Sequence, residues 1–437
     1  MALSGGLNQL AESLIAAVAS IEPGPIVVAL SGGPDSAIAA WACGEARPAG
    51  SVRAIHIDHR WEASPQLRKA AQTIAERLNL SLTVISISIP GGPSPEGAAR
   101  RARLEALATA AGADRVVTGH HADDSAETIL LNLFRGAGLT GLSGIPGERV
   151  PFVRPLLQYR AAELRELADA LELPFADDPS NHDVSLRRNL IRREVLPHLT
   201  DLLGSDVVEN LGRAAAHVAA ADRYLEEVTP ALVVRDDGDG LLLPIAPVVT
   251  APAVLAKRMV RAVLRRVNPP YPGTSREVAA ILDVARGAAV RADLSSGWVA
   301  EAEGAFVAIY QPAPGALPAS LQLPVPGSIR FGRHTISGRV VGNGRIDHLS
   351  HDRTRLAVPG DLVVRATLPG DRIEITGGTK AVADALGEAA VPRRMRSAWP
   401  VVESRAKIAW VPGVRVATWA REHTTNDIWV ELERRSV

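Results

Sequence analysis

The sequence predicts an α/β protein in three parts. A parallel sheet covered by helices comes first, over residues 1–204. A mainly helical middle domain follows over 205–315, and a linker with a small, β-rich α+β unit closes the chain over 316–437. Three observations lead there. In the first part, short apolar runs alternate with stretches of helical length, the pattern of βαβ units. The first of those runs enters a Gly-rich turn, SGGPDS. After Trp298, Gly, Pro and Val become frequent and short alternating runs replace the helical pattern.

The elements follow in order. Pro25–Leu30 (PIVVAL) reads as a buried strand, with a helix from about Asp35. Ser51–Asp58, Ser81–Ile89 and Asp114–His120 are three more strands. The helices beside them are Ser64–Leu78, Pro95–Ala111 and Asp123–Phe134. A Gly-rich loop (Arg135–Gly147), a helix over Arg160–Glu172 and an Arg-rich helix ending at Pro197 complete this part. Helical patterns return over Asp206–Arg235, Val254–Val267 and Ser275–Val284, and a separate C-terminal unit is expected from about Leu356. Ligands of a parallel sheet sit beyond the carboxyl ends of its strands. SGGPDS (31–36), HIDH (56–59) and GHHADD (119–124) are therefore expected at one edge.

The bulk numbers set bounds. A chain of 437 residues is too long for one core. No run approaches the roughly 18 apolar residues of a membrane span, and the opening MALSGGLNQLAESL lacks the basic-then-apolar pattern of a signal peptide. A cytoplasmic protein with no membrane partner is expected. One cysteine, Cys43, excludes an internal disulfide and suits a reducing compartment. The formal net charge is zero, so any basic surface must be local. Arginine supplies nearly all the positive charge; Lys69, Lys257, Lys380 and Lys407 are the lysines.

A strand, SGGPDS and a helix together suit a phosphate. Glycines let backbone N–H groups approach the anion, and the helix start adds positive potential. No G-K-[ST] is present, so this is not a Walker A loop. Ser31 and Ser36 offer hydroxyls, and Asp35 offers a carboxylate for a divalent metal; Asp35 or Ser36 would equally cap the helix. In GHHADDSAETILL, His120, Asp124 and Glu127 stand at i, i+4 and i+7, one face of a helix. Such carboxylates suit Mg²⁺ or an ammonium group, and His120 suits a phosphate contact or acid–base work. The backbone at Ile55 and His56 suits an adenine edge, unless this strand end is a plain solvent loop. Arg100 and Arg103, at i and i+3, suit phosphate or carboxylate. Arg188 and Arg192 share a face and suit RNA phosphates. So does the basic run over Val391–Arg421, whose Trp399, Trp410 and Trp419 either stack on bases or fill a core.

SGGPDS resembles the PP-loop of the N-type ATP pyrophosphatases, in which the loop grips the pyrophosphate of ATP while a substrate attacks the α-phosphate. HIDH, EGAARRAR, GHHADDSAET, RGAGLTGLSGIP, RPLL and DDPSNHDVSLRRNLIR are together similar to the tRNA(Ile)-lysidine synthetases, as are LPGDRI, GGTKAVADALGEAAVPRRMRSAWPVV and WVPGVR in the tail. Residues 205–350 carry little of the resemblance. Ser125 stands where that family usually has Gln, and Arg60-Trp61 where Gly and an apolar residue are common. The resemblance implies an ATP-dependent carbon–nitrogen ligase. Its substrates would be ATP with Mg²⁺, free L-lysine and a tRNA(Ile) with a CAU anticodon, whose wobble cytidine is adenylated and then attacked by lysine. On that reading Ser31, Gly32, Gly33, Pro34, Asp35 and Ser36, with Ile55, His56 and Gly119, hold ATP. Asp35 and Asp124 hold the metal. Asp35, Arg100, His120, Asp124 and Glu127 serve the chemistry, with Asp124 and Glu127 on metal or lysine. Arg188, Arg192, Lys380, Arg393, Arg394 and Arg396 hold tRNA. Another PP-loop tRNA-modifying ligase with a different nucleophile is the alternative. A lone cysteine disfavours the thiolases of the superfamily, and the sequence leaves a homodimer open.

Overall fold

The computed structural model describes residues 3–58, 64–87, 95–179, 183–236, 240–269, 271–312, 318–342, 352–358, 361–421 and 428–436. His59, Arg60, Trp61, Ser180 and the run Asn181-His182 singled out in the sequence lie outside them. The chain divides into two compact units, Met1–Val228 and Thr229–Val437.

In the first unit the described strands are β1 (Ile26–Ala29), β2 (Val52–Asp58), β3 (Ser81–Ser86), β4 (Arg115–Val117), β5 (Glu148–Arg149) and β6 (Phe152–Val153). Their order is β3-β2-β1-β4-β6-β5, parallel except for β5. The helices are α1 (Gly5–Ala19), α2 (Pro34–Ala46), α3 (Ser64–Arg77), α4 (Pro95–Ala111), α5 (Ala122–Phe134), α6 (Leu139–Leu142) and α7 (Ala161–Ala170). β1 has no polar alternation because both its faces are covered. Ile26 and Val28 join Leu14, Ile38, Leu164 and Leu167 in one core; Val27 joins Ile55, Leu107 and Val116 in another. The alanines of α2 are buried almost all round, and their small side chains let α1 and α7 pack close. The chain fills β1, β2 and β3 outward, then returns to add β4 on the other side of β1. This reversal opens a crevice over the carboxyl ends of β1 and β4.

α8 (Arg187–Leu190) runs through one π-helical turn, Ile191–Val195, into α9 (Leu196–Leu203). α10 (Val207–Glu227) then packs on α5, with Ile191, Leu196, Val207 and Val208 against Ala126 and Leu130. The helical pattern expected to reach Arg235 stops at Glu227. Pro230 lacks an N–H and cannot extend a helix.

The second unit begins with α11 (Ile245–Thr250), α12 (Ala253–Val267) and α13 (Ser275–Ala285) on an antiparallel sheet. Its strands are β7 (Arg235–Asp236), β8 (Gly240–Pro244), β9 (Arg291–Asp293), β10 (Val299–Glu303) and β11 (Phe306–Tyr310), ordered β7-β8-β11-β10-β9. The middle segment thus carries a sheet besides its helices; strands of two to five residues leave too short a pattern to read. The tail is strand-rich as expected. β12 (Leu321–Leu323), β13 (Gly327–Phe331), β14 (His334–Val340), β15 (Arg353–Val358) and β16 (Leu362–Ala366) come first. The hairpin β17 (Arg372–Ile375) and β18 (Gly378–Ala381), α14 (Val382–Glu388) and α15 (Arg393–Arg396) follow. β19 (Pro400–Ser404), β20 (Lys407–Val411), β21 (Arg415–Val416) and β22 (Ile428–Ser436) end it. Sheets β12-β16-β19-β20-β21 and β13-β14-β22-β15 share one core, in which Trp399 and Trp410 are buried and Trp419 packs at the margin. Burial decides between base stacking and core: Trp399 Nε1 donates to Pro412 O (3.0 Å) and Trp419 Nε1 to Ile408 O (3.3 Å).

The tightest backbone approach in the first unit is at the opening turn. Gly32 has φ +97°, and a Cβ there would lie 2.3 Å from Leu67 O of α3. A Cβ on Gly33 would meet nothing closer than 3.7 Å. Gly32→Ala is expected to cost about 1–3 kcal/mol of stability, and Gly33→Ala much less. Equal melting temperatures for the two variants would refute this account of the loop.

Candidate active site

The crevice over β1 and β4 is a cavity of about 750 Å³. SGGPDS, the end of β2 and GHHADD meet there as the topology requires; so do Arg100 and Arg103 of α4 and Arg188 and Arg192 of the α8 segment. The ladder zips up to its mouth, where Leu30 N–H donates to Ile55 O (2.9 Å). That bond commits the Ile55 carbonyl to the sheet. His56 Nδ1 lies 2.9 Å from Leu30 O, which only accepts, so Nδ1 carries the proton. Burial holds His56 below its ordinary pKa, as the neutral ring.

Ser36 is the brace of the loop. Its Oγ donates to Gly33 O (2.9 Å) and accepts from Ser31 N–H (3.1 Å) and Gly32 N–H (3.3 Å). The N-cap of α2 is Gly33, with no side-chain cap bond, and Pro34 fills the first helical position. Neither Asp35 nor Ser36 caps this helix, so its first turn stays suited to an anion. Gly119 explains itself by contact. A Cβ there would come 2.8 Å from the Asp35 carbonyl, so only glycine lets the end of β4 back onto α2.

α5 begins at Ala122, and His121 is its N-cap, in a reciprocal box with Asp124. His120 therefore precedes the helix and does not share its face with Asp124 and Glu127, as the spacing had implied. It is held by Thr118, Oγ1 to Nδ1 2.8 Å. Burial, with Arg103, Arg100 and Arg154 nearby, outweighs Asp124 and pushes His120 down to about 3, so it is neutral at physiological pH. His121 is the residue the sequence reading passed over. Its Nε2 lies 3.4 Å from Asp124 Oδ2 and 3.7 Å from Asp35 Oδ2, and Nδ1 lies 3.6 Å from Asp123 Oδ2. Burial works against its charge, but these carboxylates outweigh burial and raise its pKa. Burial raises Asp35. It also pushes Asp124 up, but His121, Arg188 and Arg192 outweigh it and hold that carboxyl low. The available signal was position: His121 stands three residues before Asp124, where an N-cap belongs.

Glu127 has no exposed surface. Arg188 Nε donates to its Oε2 (2.6 Å), and Arg192 Nε to its Oε1 (2.5 Å). Both arginines also donate through Nη2 to Asp124 Oδ1, at 3.0 Å each. Arg188 and Arg192, expected on tRNA, are thus turned inward onto the two carboxylates expected on metal or lysine. The π-helical turn Ile191–Val195 contains Arg192, a widening often found at functional sites. Arg100 and Arg103 supply the positive wall. Burial, Arg100 and Arg188 draw the Arg103 guanidinium down to about 10, still charged at neutral pH. Among the described residues Arg103 has no protein partner. Arg154 ties the Gly-rich loop down, Nη1 to Pro146 O (2.9 Å), and Ser125 Oγ accepts from Ile145 N–H (3.2 Å).

In the second unit, Arg394 departs from expectation. Its side chain is 4% exposed, donates through Nε to Glu303 (2.7 Å) and lies over the Tyr310 ring (5.4 Å). That contact consumes the charge, so Arg394 is a packing residue between α15 and the β10–β11 hairpin. Lys380 pairs with Glu388, Arg396 Nε donates to Val391 O (2.9 Å), and Arg393 is exposed. Cys43 is fully buried and its thiol is pushed up to about 12 by burial, an inert side chain.

Removing one partner of a buried pair costs about 3–5 kcal/mol, because the other charge is left dry. Arg188→Ala combined with Arg192→Ala removes both cations from Glu127 and is expected to destabilise the fold by about that much. Arg165→Ala, which breaks an exposed pair with Asp177 (2.8 Å), should cost under about 1 kcal/mol. Denaturant titration compares them, and equal losses would remove the structural role given to the Glu127 pair.

Comparison with known proteins agrees with this geometry. A family model described as a PP-loop domain matches residues 7–199, and one described as TilS substrate C-terminal domain matches 362–431. The tRNA(Ile)-lysidine synthase of Symbiobacterium thermophilum is 33% identical over 447 residues, covering 90% of each chain. That of Polaromonas naphthalenivorans is 40% identical over 227 residues, covering 50% of this chain and 69% of the relative. The Pseudomonas putida protein of the same name is 41% identical over 212 residues, covering 46% and 49%. A PP-loop crevice faced by carboxylates and arginines, a matching C-terminal domain and a relative aligned along nine-tenths of both chains lead to one conclusion: the chain belongs to the tRNA(Ile)-lysidine synthase family.

Proposed function

We propose that this chain ligates lysine to C2 of the wobble cytidine in the CAU anticodon of a tRNA(Ile), consuming ATP and releasing AMP and pyrophosphate. The observation that carries the proposal is the crevice in which a phosphate-binding loop faces Arg100, Arg103 and Asp124. Its volume lies within the usual range of ligand pockets, about 300–1,000 Å³.

The uncapped first turn of α2, held in place by the Ser36-braced loop, grips the pyrophosphate portion of ATP. The C2 oxygen of cytidine attacks the α-phosphorus and pyrophosphate leaves. Arg100 and Arg103 stabilise the charge that builds on the α-phosphoryl oxygens. Neutral His120 adds a hydrogen bond without adding charge. The oxygen on C2 now carries AMP, a good leaving group, and the neutral ε-amine of lysine displaces it. Asp35 fits a magnesium ion, since one or two carboxylates and nucleotide phosphates are its usual donors. Asp124 fits less well, with Oδ1 held by two arginines. When bound, the ion would neutralise the leaving pyrophosphate. Glu127 acts as a positioning residue for Arg188 and Arg192. No helix among the described residues is long and apolar enough to cross a membrane.

Incubation with ATP, isotopically labelled lysine and bulk tRNA, followed by mass analysis of nucleosides, tests the reaction. The expected product is cytidine carrying one lysine, with one pyrophosphate released per event. Pyrophosphate release without lysine incorporation would point to another nucleophile. Asp35→Ala is expected to lower pyrophosphate release at least about a hundredfold while tRNA affinity holds. Unchanged turnover would take the metal from Asp35.

A further inference from the structure

The sheet β13-β14-β22-β15 has one face in the core and one face outward. Phe331, Ile336, Leu356, Val430 and Leu432 point inward and are buried. Register then fixes the outward set. Arg339 and Arg355 stand opposite Glu431, Arg353 opposite Glu433, and Thr335 opposite both Arg435 and Arg330. Five arginines and two glutamates are the charged residues on this face among the described strands.

Glu431 organises the centre. Its side chain is 3% exposed, and Arg339 (61% exposed) and Arg353 (42%) donate to its Oε1 through Nε and Nη2. Arg355 Nε donates to Oε2 (3.0 Å). One carboxylate oxygen, Oε1, cannot neutralise both Arg339 and Arg353, so this pair keeps a net positive charge. The bonds to Glu431 fix the planes of Arg339 and Arg353 but leave their Nη1 donors for another acceptor. A fixed fork loses less freedom when it binds a phosphate. Exposed Arg435, paired with half-buried Glu433 at 3.0 Å, and exposed Arg330 extend the charge along the sheet. Thr335, Ser337 and Ser328 interleave them with small polar groups.

We infer that this outward face binds the phosphodiester backbone of RNA, with Arg339, Arg353, Arg330 and Arg435 as phosphate contacts and Glu431 as the residue that positions them. An overall neutral chain needs its attraction for a polyanion gathered in one place, and no comparable unopposed group lies on α15, where Arg394 is spent on Glu303. The inference rests on tRNA being the substrate, and it concerns sequence-independent grip, not base identity.

The test uses the full chain, fluorescent bulk tRNA and a salt series. Arg330→Gln with Arg435→Gln removes two exposed arginines that do not touch Glu431, so folding is undisturbed. The expected result is binding about tenfold weaker near 0.15 M salt, with the log–log salt slope reduced by about 1–2, and an unchanged melting temperature and ATP affinity. Arg339→Gln with Arg353→Gln should weaken binding at least as much. Parental affinity and slope in both double variants would overturn the inference. So would a change from dimer to monomer by sedimentation with RNA binding intact, since the face would then join two copies. Failure of lysine incorporation with arginine-dependent tRNA binding preserved would count against the reaction and leave the surface standing.

Discussion

The site depends on a carboxylate that water cannot reach. Glu127 sits on the inner side of α5, and an unpaired charge there would cost several kcal/mol. Arg188 and Arg192 remove that cost by placing hydrogen-bonded cations against both of its oxygens. The same two guanidiniums reach Asp124, one turn away, and fix its Oδ1. Asp124 in turn faces His121, and His121 faces Asp35 in the first turn of α2. One chain of charges therefore joins three segments far apart in sequence: the phosphate loop, the start of α5 and the α8 segment. The alternation of sign along it makes each member's ionisation favourable to the next.

Packing supplies the second constraint. The charges meet only because the end of β4 lies directly on α2, and Gly119 is what permits the approach. Gly32 does the same on the other side of the loop, against Leu67 O. The glycines of this region thus act through their close distance to neighbouring backbone. Ser36 uses its hydroxyl to close the loop on itself, so the cradle exists before any anion arrives. Such preorganisation spares the ordering cost at the moment of binding.

The sheet and its binding edge were legible because their signals are local and repeated. PIVVAL, a Gly turn and an Ala-rich run admit few other readings, and the edge rule then gathers distant motifs without further information. What stayed hidden was partnership. GHHADDSAE shows that His120, Asp124 and Glu127 recur at helical spacing, but not that the helix begins after His121, which shifts His120 off that face. RRNLIR shows basic residues in a row, and their count is the same whether they turn out to RNA or in to Glu127. Arg394 makes the same point: RRMR is basic text, yet a carboxylate 91 residues earlier takes one of its charges. The short strands of the middle segment failed for another reason, since two to five residues do not establish a period of two.

One device appears in both units, and exposure decides what it does. In each, a buried glutamate binds several arginines from neighbouring elements. Around Glu127 the arginines are themselves largely covered, 21% and 35% exposed, and a second carboxylate shares them. The cluster is close to neutral and its effect is to hold geometry. Around Glu431 three arginines converge, and Arg339 and Arg353 are 61% and 42% exposed. There the same chemistry leaves positive charge facing solvent in a fixed orientation. A chain with no net charge thereby gains a rigid, internally balanced reaction site and a separate surface with unbalanced charge.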